Sequence, residues 1–338
     1  MALAVNHTSV INGTHLTDTL TRAGFNIRKV FTPEHGFKGS ASDGEEIEYS
    51  NDSSVYELIS LYGQNKKPTP QQLEGLDVMV FDMQDVGTRF YTYLSTMHYV
   101  MEACAENNVQ MVILDRPNPN GSYVDGPVLD TAFRSFVGMH PIPIVHGMTL
   151  GELAHMINGE GWLQKSNQVD LTVISIRNWT HSQPYSPPLK PSPNLPNDLS
   201  ISLYPSLCLF EGTIMSVGRG TDHPFQQIGH PLYPDTLHSF VPTSMEGAKW
   251  PPYEEERCYG ISWTGQSPTY GFSLKPLIEA YHKMDTTGFF NSYFKRLAGT
   301  DLLQKQIEDG WTEAEIRETW RRDLDTFKAL RKKYLLYD

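Results

Sequence analysis

The feature that most constrains the fold is the alternation of short apolar segments with amphipathic segments along the first half of the chain. The apolar segments, which we predict to be strands, are 2–5, 26–31, 76–81, 110–114 and 171–176. The amphipathic segments, which we predict to be helical, are 16–23, 55–62, 93–106 and 150–158. Nearly continuous Val, Ile and Leu strands that alternate with helices indicate a parallel sheet covered on both faces. The sequence therefore predicts an α/β protein with a Rossmann-like lobe.

The length of 338 residues exceeds what one hydrophobic core usually serves, so a second lobe is expected. Segment 180–205 is rich in proline, which favours an extended arm over a helix or a central strand. We place the boundary there, with a Rossmann-like N-terminal catalytic lobe at 1–180 and a smaller α+β lobe at 181–338 that closes the cleft. Helices are predicted at 273–284 and 312–334, the latter opening with a capping box of Thr312 and Glu315.

The charge balance argues against nucleic acid as a partner. The 27 Lys and Arg residues are outnumbered by 39 Asp and Glu residues, and no run of basic residues could follow a phosphate backbone. Three cysteines (Cys104, Cys208 and Cys258) lie far apart, which favours buried apolar residues over disulfides or a metal site. No apolar stretch approaches the ~18 residues of a membrane span, and the printed chain contains no recognisable export signal.

Polar residues follow four of the predicted strands. In open parallel sheets, ligands bind beyond the carboxyl ends of the strands, so these residues are candidates for a catalytic site. They are Asn6 and His7, then Glu34 and His35, then Asp82, Gln84, Asp85 and Arg89, and finally Asp115, Arg116 and Asn118. Structural roles remain open for single members: Asp82 as a loop cap, Asp115 as the partner of Arg116, and His35 as a core histidine.

The absence of several catalytic and cofactor-binding motifs reduces the number of reaction types that the sequence supports. The chain has no glycine-rich dinucleotide fingerprint after its first strand, no phosphate-binding loop, no serine nucleophile elbow and no paired-histidine zinc motif. The carboxylates are therefore the remaining candidates for catalytic groups. Glycoside cleavage needs one carboxyl group to protonate the leaving oxygen and another to stabilise the oxocarbenium-like positive charge. Phe90, Tyr91, Tyr93 and Tyr123 could serve as sugar platforms, although core packing is the commoner use of such residues.

Six ordered segments are spread over essentially the whole chain: FTPEHGFKG (31–39), VFDMQDVGTRFYTY (80–93), LDRPNPNG (114–121), HGMTLGELA (146–154), LFEGTIMSVGRGTDHPFQQIG (209–229) and WTEAEIRETW (311–320). Together they resemble the NamZ-type exo-β-N-acetylmuramidases, a family formerly catalogued as a domain of unknown function. The resemblance implies a cleft between a Rossmann-like lobe and a smaller one. It also implies release of N-acetylmuramic acid from the non-reducing end of peptidoglycan fragments.

The resemblance makes Glu34 the first choice for the general acid, with His35 beside it as a hydrogen-bonding or substrate-binding group. Asp85 and Asp115 are the candidates for the second carboxylate. Alternatively, the substrate's own 2-acetamido oxygen attacks and an Asp only orients it. The residues predicted to bind substrate are Asn6, Gln84, Arg89, Tyr91, Arg116, Asn118, His146, Asn194, Glu211 and Arg219.

The arginines and Glu211 in this set need further comment. An arginine among Arg89, Arg116 and Arg219 is expected to bind the 3-O-lactyl carboxylate that distinguishes muramic acid from glucosamine. Glu211 could instead pair with Arg219 in a structural loop.

No cofactor and no metal are expected, and the expected partners are peptidoglycan-derived saccharides. The resemblance also implies a periplasmic or secreted location. Two competing hypotheses are a non-catalytic two-lobed sugar-binding protein and an NAD-using enzyme, the latter disfavoured by the missing glycine fingerprint.

Overall fold

A computed structural model describes residues 1–34, 36–39, 56–164, 167–284 and 287–338. The strands are β1 (Ala2–Val5), β2 (Val10–Ile11), β3 (Thr14–His15), β4 (Lys29–Thr32), β5 (Glu57–Ser60), β6 (Val78–Asp82), β7 (Gln110–Leu114), β8 (Asp125–Val128), β9 (Pro143–Val145), β10 (Leu171–Ile174), β11 (Gln227–His230), β12 (His238–Phe240) and β13 (Cys258–Ser262). The α-helices are α1 (Leu16–Arg22), α2 (Pro70–Leu73), α3 (Tyr93–Asn107), α4 (Leu150–Gly159), α5 (Asp198–Leu207), α6 (Lys275–Met284), α7 (Phe294–Ala298), α8 (Leu302–Glu308) and α9 (Glu313–Arg331).

A six-stranded parallel sheet in the order β10-β7-β6-β1-β4-β5 forms the centre of the first lobe. Successive side chains of a strand point to opposite faces, and β1 follows this rule. Its Ala2 and Ala4 belong to the larger apolar core, whereas Leu3 and Val5 belong to a smaller one on the other face. The sheet is therefore buried on both faces, as the apolar strand pattern predicts, and the predicted fold class is confirmed.

Segment 55–62 was expected to be helical, and this prediction is wrong for its described part. Residues Glu57–Ser60 form β5, which pairs with β4 at the edge of the sheet. An edge strand contacts a neighbour on one side only, so it tolerates polar residues such as Glu57 and Ser60 that blur the strand pattern.

The proline-rich segment contains turns and no helix or strand up to residue 197, and α5 then begins at Asp198 behind an Asn197 cap. Pro205 lies inside this helix, where it cannot donate a backbone hydrogen bond to the carbonyl of Ile201. The side-chain amide of Asn120 donates to that carbonyl instead, at 3.2 Å. This tertiary contact explains why a segment predicted to avoid helix contains one.

The second lobe combines a three-stranded antiparallel sheet, β11-β13-β12, with helices α5 to α9. The predicted capping box at the start of α9 is present, since the Thr312 hydroxyl accepts from the Glu315 amide and the Glu315 carboxylate accepts from the Thr312 amide. The larger apolar core contains residues of both lobes, so the lobes pack directly on each other. The predicted boundary at residue 180 stays a prediction.

The three cysteines are buried and free, as predicted. In the described ranges, no helix combines the length and the apolar character needed to cross a membrane.

Candidate active site

A cleft of about 590 Å³ opens beside the carboxyl end of β4, between the two lobes. Its volume lies in the range of ~300–1,000 Å³ that is typical of small-molecule sites. The charged residues that line it are Glu34, Lys66, Glu211, Arg219 and Arg296. Carboxylates and cations therefore meet on a partly enclosed surface, where they can contact a polar ligand.

Glu34 enters the cleft because β4 ends at Thr32 and the chain then turns through Pro33. The Thr92 hydroxyl, at the start of α3, donates a hydrogen bond of 2.8 Å to Glu34 Oε2. The carboxylate is half-buried, so one oxygen is fixed while the group stays accessible to a ligand. His35, predicted to assist Glu34, lies outside the described residues.

Aromatic rings that contact one another edge to face form much of the remaining cleft surface. Tyr91 lies 4.8 Å from Tyr93 and 6.1 Å from Tyr204, and Tyr204 lies 4.9 Å from Phe225 between ring centroids. The Tyr91 hydroxyl donates to the carbonyl of Pro191 at 2.9 Å, which ties the cleft to the proline-rich segment. Burial holds the pKa values of Tyr91 and Tyr204 well above the ordinary tyrosine value, so both remain neutral phenols.

Glu211 and Arg219 form an ion pair in the cleft wall contributed by the second lobe. Arg219 Nε donates to Glu211 Oε1 at 2.7 Å, and the guanidinium lies 5.0 Å above the Phe225 ring. Cys208 Sγ lies 3.5 Å from Glu211 Oε2, and burial raises the pKa of this thiol well above its usual value, so it remains a neutral donor. The structural pairing that the sequence left open is present, and both partners nevertheless line the cleft.

Asp85 and Asp115, predicted as second carboxylates, are absent from the described cleft lining and belong to a largely buried polar cluster at the strand ends. We call this cluster, which consists of Asp85, Asp115, Asn118, His146 and Glu152, the strand-end network. It lies behind the cleft, since Asp85 is close enough to the Tyr91 ring to raise the pKa of its phenol. Asp85 is buried, so it could contact a ligand in the cleft only if the wall moved. Asp115 is half-buried and does not line the described part of the cleft.

Asp85 is only 4% exposed, and its Oδ2 accepts a hydrogen bond of 2.6 Å from the amide of Gly87. Its other oxygen has no hydrogen-bond partner among the described residues. Burial is the main reason that the pKa of this carboxyl rises to about 7, and the nearby negative charge of Asp115 adds to the rise. A carboxyl group with this pKa is protonated in a large fraction of molecules at neutral pH.

Asp115 accepts four hydrogen bonds, the longest of them from the backbone amide of Arg116 to Oδ1 at 3.1 Å. Its Oδ2 accepts from the Thr149 hydroxyl at 2.6 Å and from the Tyr337 hydroxyl at 2.7 Å, and Oδ1 accepts from the Gly151 amide at 2.8 Å. A Cβ atom at Gly151 would lie only 2.7 Å from Asp115 Cγ, so glycine allows this close approach. Burial raises the pKa of Asp115 to about 6, although the hydrogen bonds oppose the rise. The suggestion that Asp115 is the side-chain partner of Arg116 is wrong.

His146 is fully buried, which lowers its pKa to about 3 and keeps the imidazole neutral. Its Nδ1 accepts from the Met148 amide at 3.2 Å, so the proton belongs on Nε2, which lies 3.9 Å from Asp85 Oδ2. Glu152 accepts from His181, Leu336 and Tyr337 near the end of the chain. The strand-end network thus joins the sheet to the C-terminal segment.

Four further candidates at the strand ends make structural contacts instead of lining the cleft. Arg116 binds Asp82 through Nε at 2.5 Å and Nη2 at 2.9 Å. Gln84 donates to the carbonyls of Asp85 and Pro117, Asn118 donates to the carbonyl of Met148, and Asn6 accepts from Thr8. Their side-chain groups serve the packing of the loops, which argues against the predicted substrate contacts.

Arg89, predicted to bind substrate, is 1% exposed and holds the lobes together. Its guanidinium donates to the carbonyls of Pro127 and Ile142 in the first lobe and of Leu297 and Ala298 in α7, at 2.8–2.9 Å. Burial lowers its pKa to about 9. This geometry argues against the expectation that Arg89 binds a ligand carboxylate, because both Nη atoms already bind carbonyls and the remaining donor, Nε, is buried.

Asn194 was expected to present its amide to the cleft, but it is 4% exposed and donates to the carbonyl of Gly247 at 2.8 Å. Its neighbours Ser192 and Leu195 line the cleft instead. Sequence reasoning also missed Lys66, Tyr204 and Arg296, which line the cleft from outside the recognised motifs. No local sequence pattern marks them, since only the packing of the lobes brings them together.

Two family models match nearly all of the chain. The model described as exo-beta-N-acetylmuramidase NamZ, N-terminal, matches residues 1–199, and its C-terminal counterpart matches residues 202–337. The peptidoglycan beta-N-acetylmuramidase NamZ of Bacillus subtilis (strain 168) is 38% identical over 340 residues, covering 92% of this chain and 80% of that protein.

Solved structures agree with these matches. A crystal structure of a DUF1343 family protein from Bacteroides fragilis NCTC 9343 is 46% identical, covers 100% of this chain and 93% of its own, and superposes with a TM-score of 0.92. A second DUF1343 family protein from the same strain is 27% identical with a TM-score of 0.82, and covers 100% of this chain and 94% of its own. Because the similarity extends over both lobes, this chain belongs to the NamZ family of exo-β-N-acetylmuramidases.

Proposed function

We propose that the protein is a glycoside hydrolase that releases N-acetylmuramic acid from the non-reducing end of peptidoglycan-derived saccharides. The observation that carries this proposal is the position of Glu34, an accessible carboxylate of a family motif that lines the cleft between the lobes. The relationship to a muramidase of Bacillus subtilis over 92% of the chain supports it.

In the proposed reaction, Glu34 is the general acid. It donates its proton to the glycosidic oxygen as the bond from that oxygen to the anomeric carbon breaks, and the leaving sugar departs as an alcohol. A water molecule supplies the oxygen that ends on the anomeric carbon, and its proton restores the Glu34 carboxyl. The hydrogen bond from Thr92 holds one oxygen of Glu34, which fixes the direction in which the other can act.

Glu211 is the carboxylate best placed to stabilise positive charge on the sugar ring, because it lines the same cleft as Glu34 and is held in place by a hydrogen bond from Arg219. Asp85 and Asp115 are less suitable, since neither lines the described part of the cleft and Asp85 is only 4% exposed. Attack by the substrate's own acetamido oxygen remains compatible with this arrangement, because Glu34 acts as the acid in either route.

The test uses the purified chain with 4-nitrophenyl β-N-acetylmuraminide, the matching glucosaminide, and a disaccharide that ends in N-acetylmuramic acid. We expect nitrophenol from the muraminide and free N-acetylmuramic acid from the disaccharide, with no change on addition of NAD or a metal chelator. Binding of the muraminide without cleavage would instead identify a non-catalytic sugar-binding protein.

We also propose that the protein acts in the periplasm or outside the cell, where peptidoglycan is found. Fractionation of the source cells, with an antibody against the chain and a cytoplasmic marker enzyme as control, tests the location. Detection of the protein only in the fraction that contains the marker would contradict it.

A further inference from the structure

The proposed substrate carries a carboxylate that the cleft must bind. N-acetylmuramic acid differs from N-acetylglucosamine by a 3-O-lactyl group that ends in a carboxylate, so selection of muramic acid requires a group that binds this anion. The protein as a whole has a formal charge of −12, which disfavours anions. Positive charge must therefore be concentrated locally, and the described cleft lining contains three basic residues: Lys66, Arg219 and Arg296.

Arg219 is poorly suited to this role. Its Nε donates to Glu211 at 2.7 Å, and the carboxylate of Glu211 neutralises the charge of its guanidinium. A ligand carboxylate that approached Arg219 would also come close to Glu211, and like charges repel at such distances. The choice therefore falls on Arg296 and Lys66.

Arg296 is exposed to the cleft and forms no side-chain hydrogen bond or ion pair with any residue of the described ranges. Its backbone is nevertheless rigidly held. The carbonyls of the next two residues, Leu297 and Ala298, accept from the buried Arg89 at 2.9 and 2.8 Å. On the other side, α7 packs so closely on Gly212 that a Cβ atom there would lie 2.4 Å from Phe294 Cα. A rigid backbone thus presents an uncompensated guanidinium to the cleft.

Lys66 contributes a second positive charge from the first lobe. Its Nζ lies 4.7 Å from the centre of the Phe136 ring, and no carboxylate in the described part of the chain pairs with it. Phe136 is itself fixed, because its carbonyl accepts from the Ser95 hydroxyl at 2.6 Å and its ring stacks on Tyr99. A contact with an aromatic face orients the ammonium but leaves its charge available to an anion.

We propose that Arg296 is the specificity-determining residue that binds the lactyl carboxylate, and that Lys66 strengthens this binding by its charge. This inference rests on the proposed function. A planar guanidinium can hold a carboxylate with two parallel hydrogen bonds, which an ammonium cannot do. Arg296 is therefore the main contact and Lys66 the supporting one.

The test measures binding and turnover in the full chain for Arg296→Met, Arg296→Lys and the matched control Lys295→Met. Lys295 is an exposed residue of the same helix that is absent from the described cleft lining. The ligands for calorimetry are N-acetylmuramic acid, its lactyl methyl ester and N-acetylglucosamine, and turnover uses the nitrophenyl muraminide. Thermal unfolding of each variant confirms that it is folded.

For Arg296→Met, we expect the Kd for N-acetylmuramic acid and the KM for the muraminide to rise on the order of 10- to 100-fold. Affinity for the neutral ester and for N-acetylglucosamine should change less than about twofold. Arg296→Lys should retain part of the preference for the acid, and Lys295→Met should retain all of it. Equal losses for the acid and the ester, or the same loss in Lys295→Met, would overturn the assignment.

These measurements distinguish failure of the proposed carboxylate site from failure of the proposed hydrolase function. If the wild-type chain cleaves no muraminide, the proposed hydrolase activity fails, while the calorimetric comparison of acid with ester still decides the role of Arg296. If the chain cleaves muraminides but the wild type binds acid and ester equally well, the hydrolase stands and the carboxylate site is refuted.

Discussion

The cleft and the strand-end network contain the same residue types in opposite physical situations. In the cleft, Glu34 and Arg296 keep polar atoms exposed to a ligand, and their described contacts fix position without neutralising the charge. In the network, Glu152 is buried and Asp115 is half-buried, and both accept hydrogen bonds from several loops and from the C-terminal segment. Polar residues at strand ends can therefore support a site from behind as well as form the site itself.

The largest effect is expected in the cleft, for Glu34→Gln. The amide keeps the shape and the hydrogen bond from Thr92 but cannot donate a proton to a leaving oxygen, so kcat on the disaccharide should fall roughly 10²- to 10⁴-fold. Steady-state rates on the disaccharide and on the nitrophenyl muraminide measure this. The nitrophenyl substrate should lose less, because its leaving group needs less protonation.

The thermal midpoint of Glu34→Gln should equal that of the wild type, since the carboxylate is half-buried and has few contacts. A variant that keeps more than about a third of the wild-type rate would exclude Glu34 as the general acid.

Arg89→Met is expected to give the largest loss of stability. The substitution removes a buried guanidinium and leaves four carbonyls without their donor, so the free energy of unfolding should fall by at least about 3 kcal/mol. Urea unfolding measures it. The control is Arg28→Met, where an exposed arginine donates to the single carbonyl of Gly75, and the loss should stay below about 1 kcal/mol.

If Arg89→Met is as stable as the wild type but loses selectivity for the lactyl carboxylate, Arg89 belongs to the site and the distinction between the two regions is wrong. A stable variant with unchanged kinetics would contradict the structural role given to its four hydrogen bonds.

Much of the fold was predictable because it depends on local patterns. Strand 110–114 and the helix from Leu150 are apolar or capped in ways that a short window of sequence reveals. The exceptions depend on distant contacts. Segment 57–60 is a strand because β4 lies beside it, and Pro205 fits in a helix because Asn120 replaces the missing donor.

The site was less predictable than the fold. Glu34 was identified because it stands in a recognisable motif directly after a strand. Arg89 stands in an equally recognisable motif, yet the sequence does not reveal that its guanidinium is buried among carbonyls. Arg296 stands in no motif, and only the packing of α7 against the first lobe brings it to the cleft.

Asp85→Asn tests whether a carboxylate of the network is needed in its charged form. Burial raises the pKa of the folded-state carboxyl to about 7 from its ordinary value of 3.8, so folding favours the protonated form. The contribution of this carboxyl group to the free energy of unfolding is fully present below about pH 4 and is lost as the pH rises through about 7. The asparagine carries no charge and can still accept from Gly87, so its stability should depend less on pH.

At pH 8, Asp85→Asn should be more stable than the wild type by about 2 to 4 kcal/mol, and at pH 4 the two should be similar. Urea unfolding at both pH values measures the difference, with the exposed Asp77→Asn as a control that should follow the wild type. A loss of stability at pH 8 would show that the charged carboxylate has a stabilising partner. Loss of activity in the stable variant would return Asp85 to the list of second carboxylates.

The smallest effect is expected for Tyr337→Phe, which removes one donor to Asp115. The hydroxyl also accepts from the Ile176 amide at 3.0 Å, so two hydrogen bonds are lost and the free energy of unfolding should fall by about 1 to 3 kcal/mol. The hydroxyl stabilises the ionised form of Asp115, so its removal raises the pKa of that carboxyl further above about 6. A raised carboxyl pKa costs stability only where the group must ionise, so the loss should be larger at pH 8 than at pH 5.

The control for this prediction is Tyr334→Phe, in the same C-terminal segment, whose hydroxyl donates to the partly exposed Glu160 at 2.5 Å. Its removal should have a smaller effect, because water can replace a donor at an exposed carboxylate. Urea unfolding at the two pH values measures the effect on the strand-end network, and kcat on the muraminide measures any effect on the cleft. An unchanged kcat in Tyr337→Phe agrees with a purely supporting network, whereas a tenfold fall in a fully folded variant would show that the network controls the chemistry in the cleft.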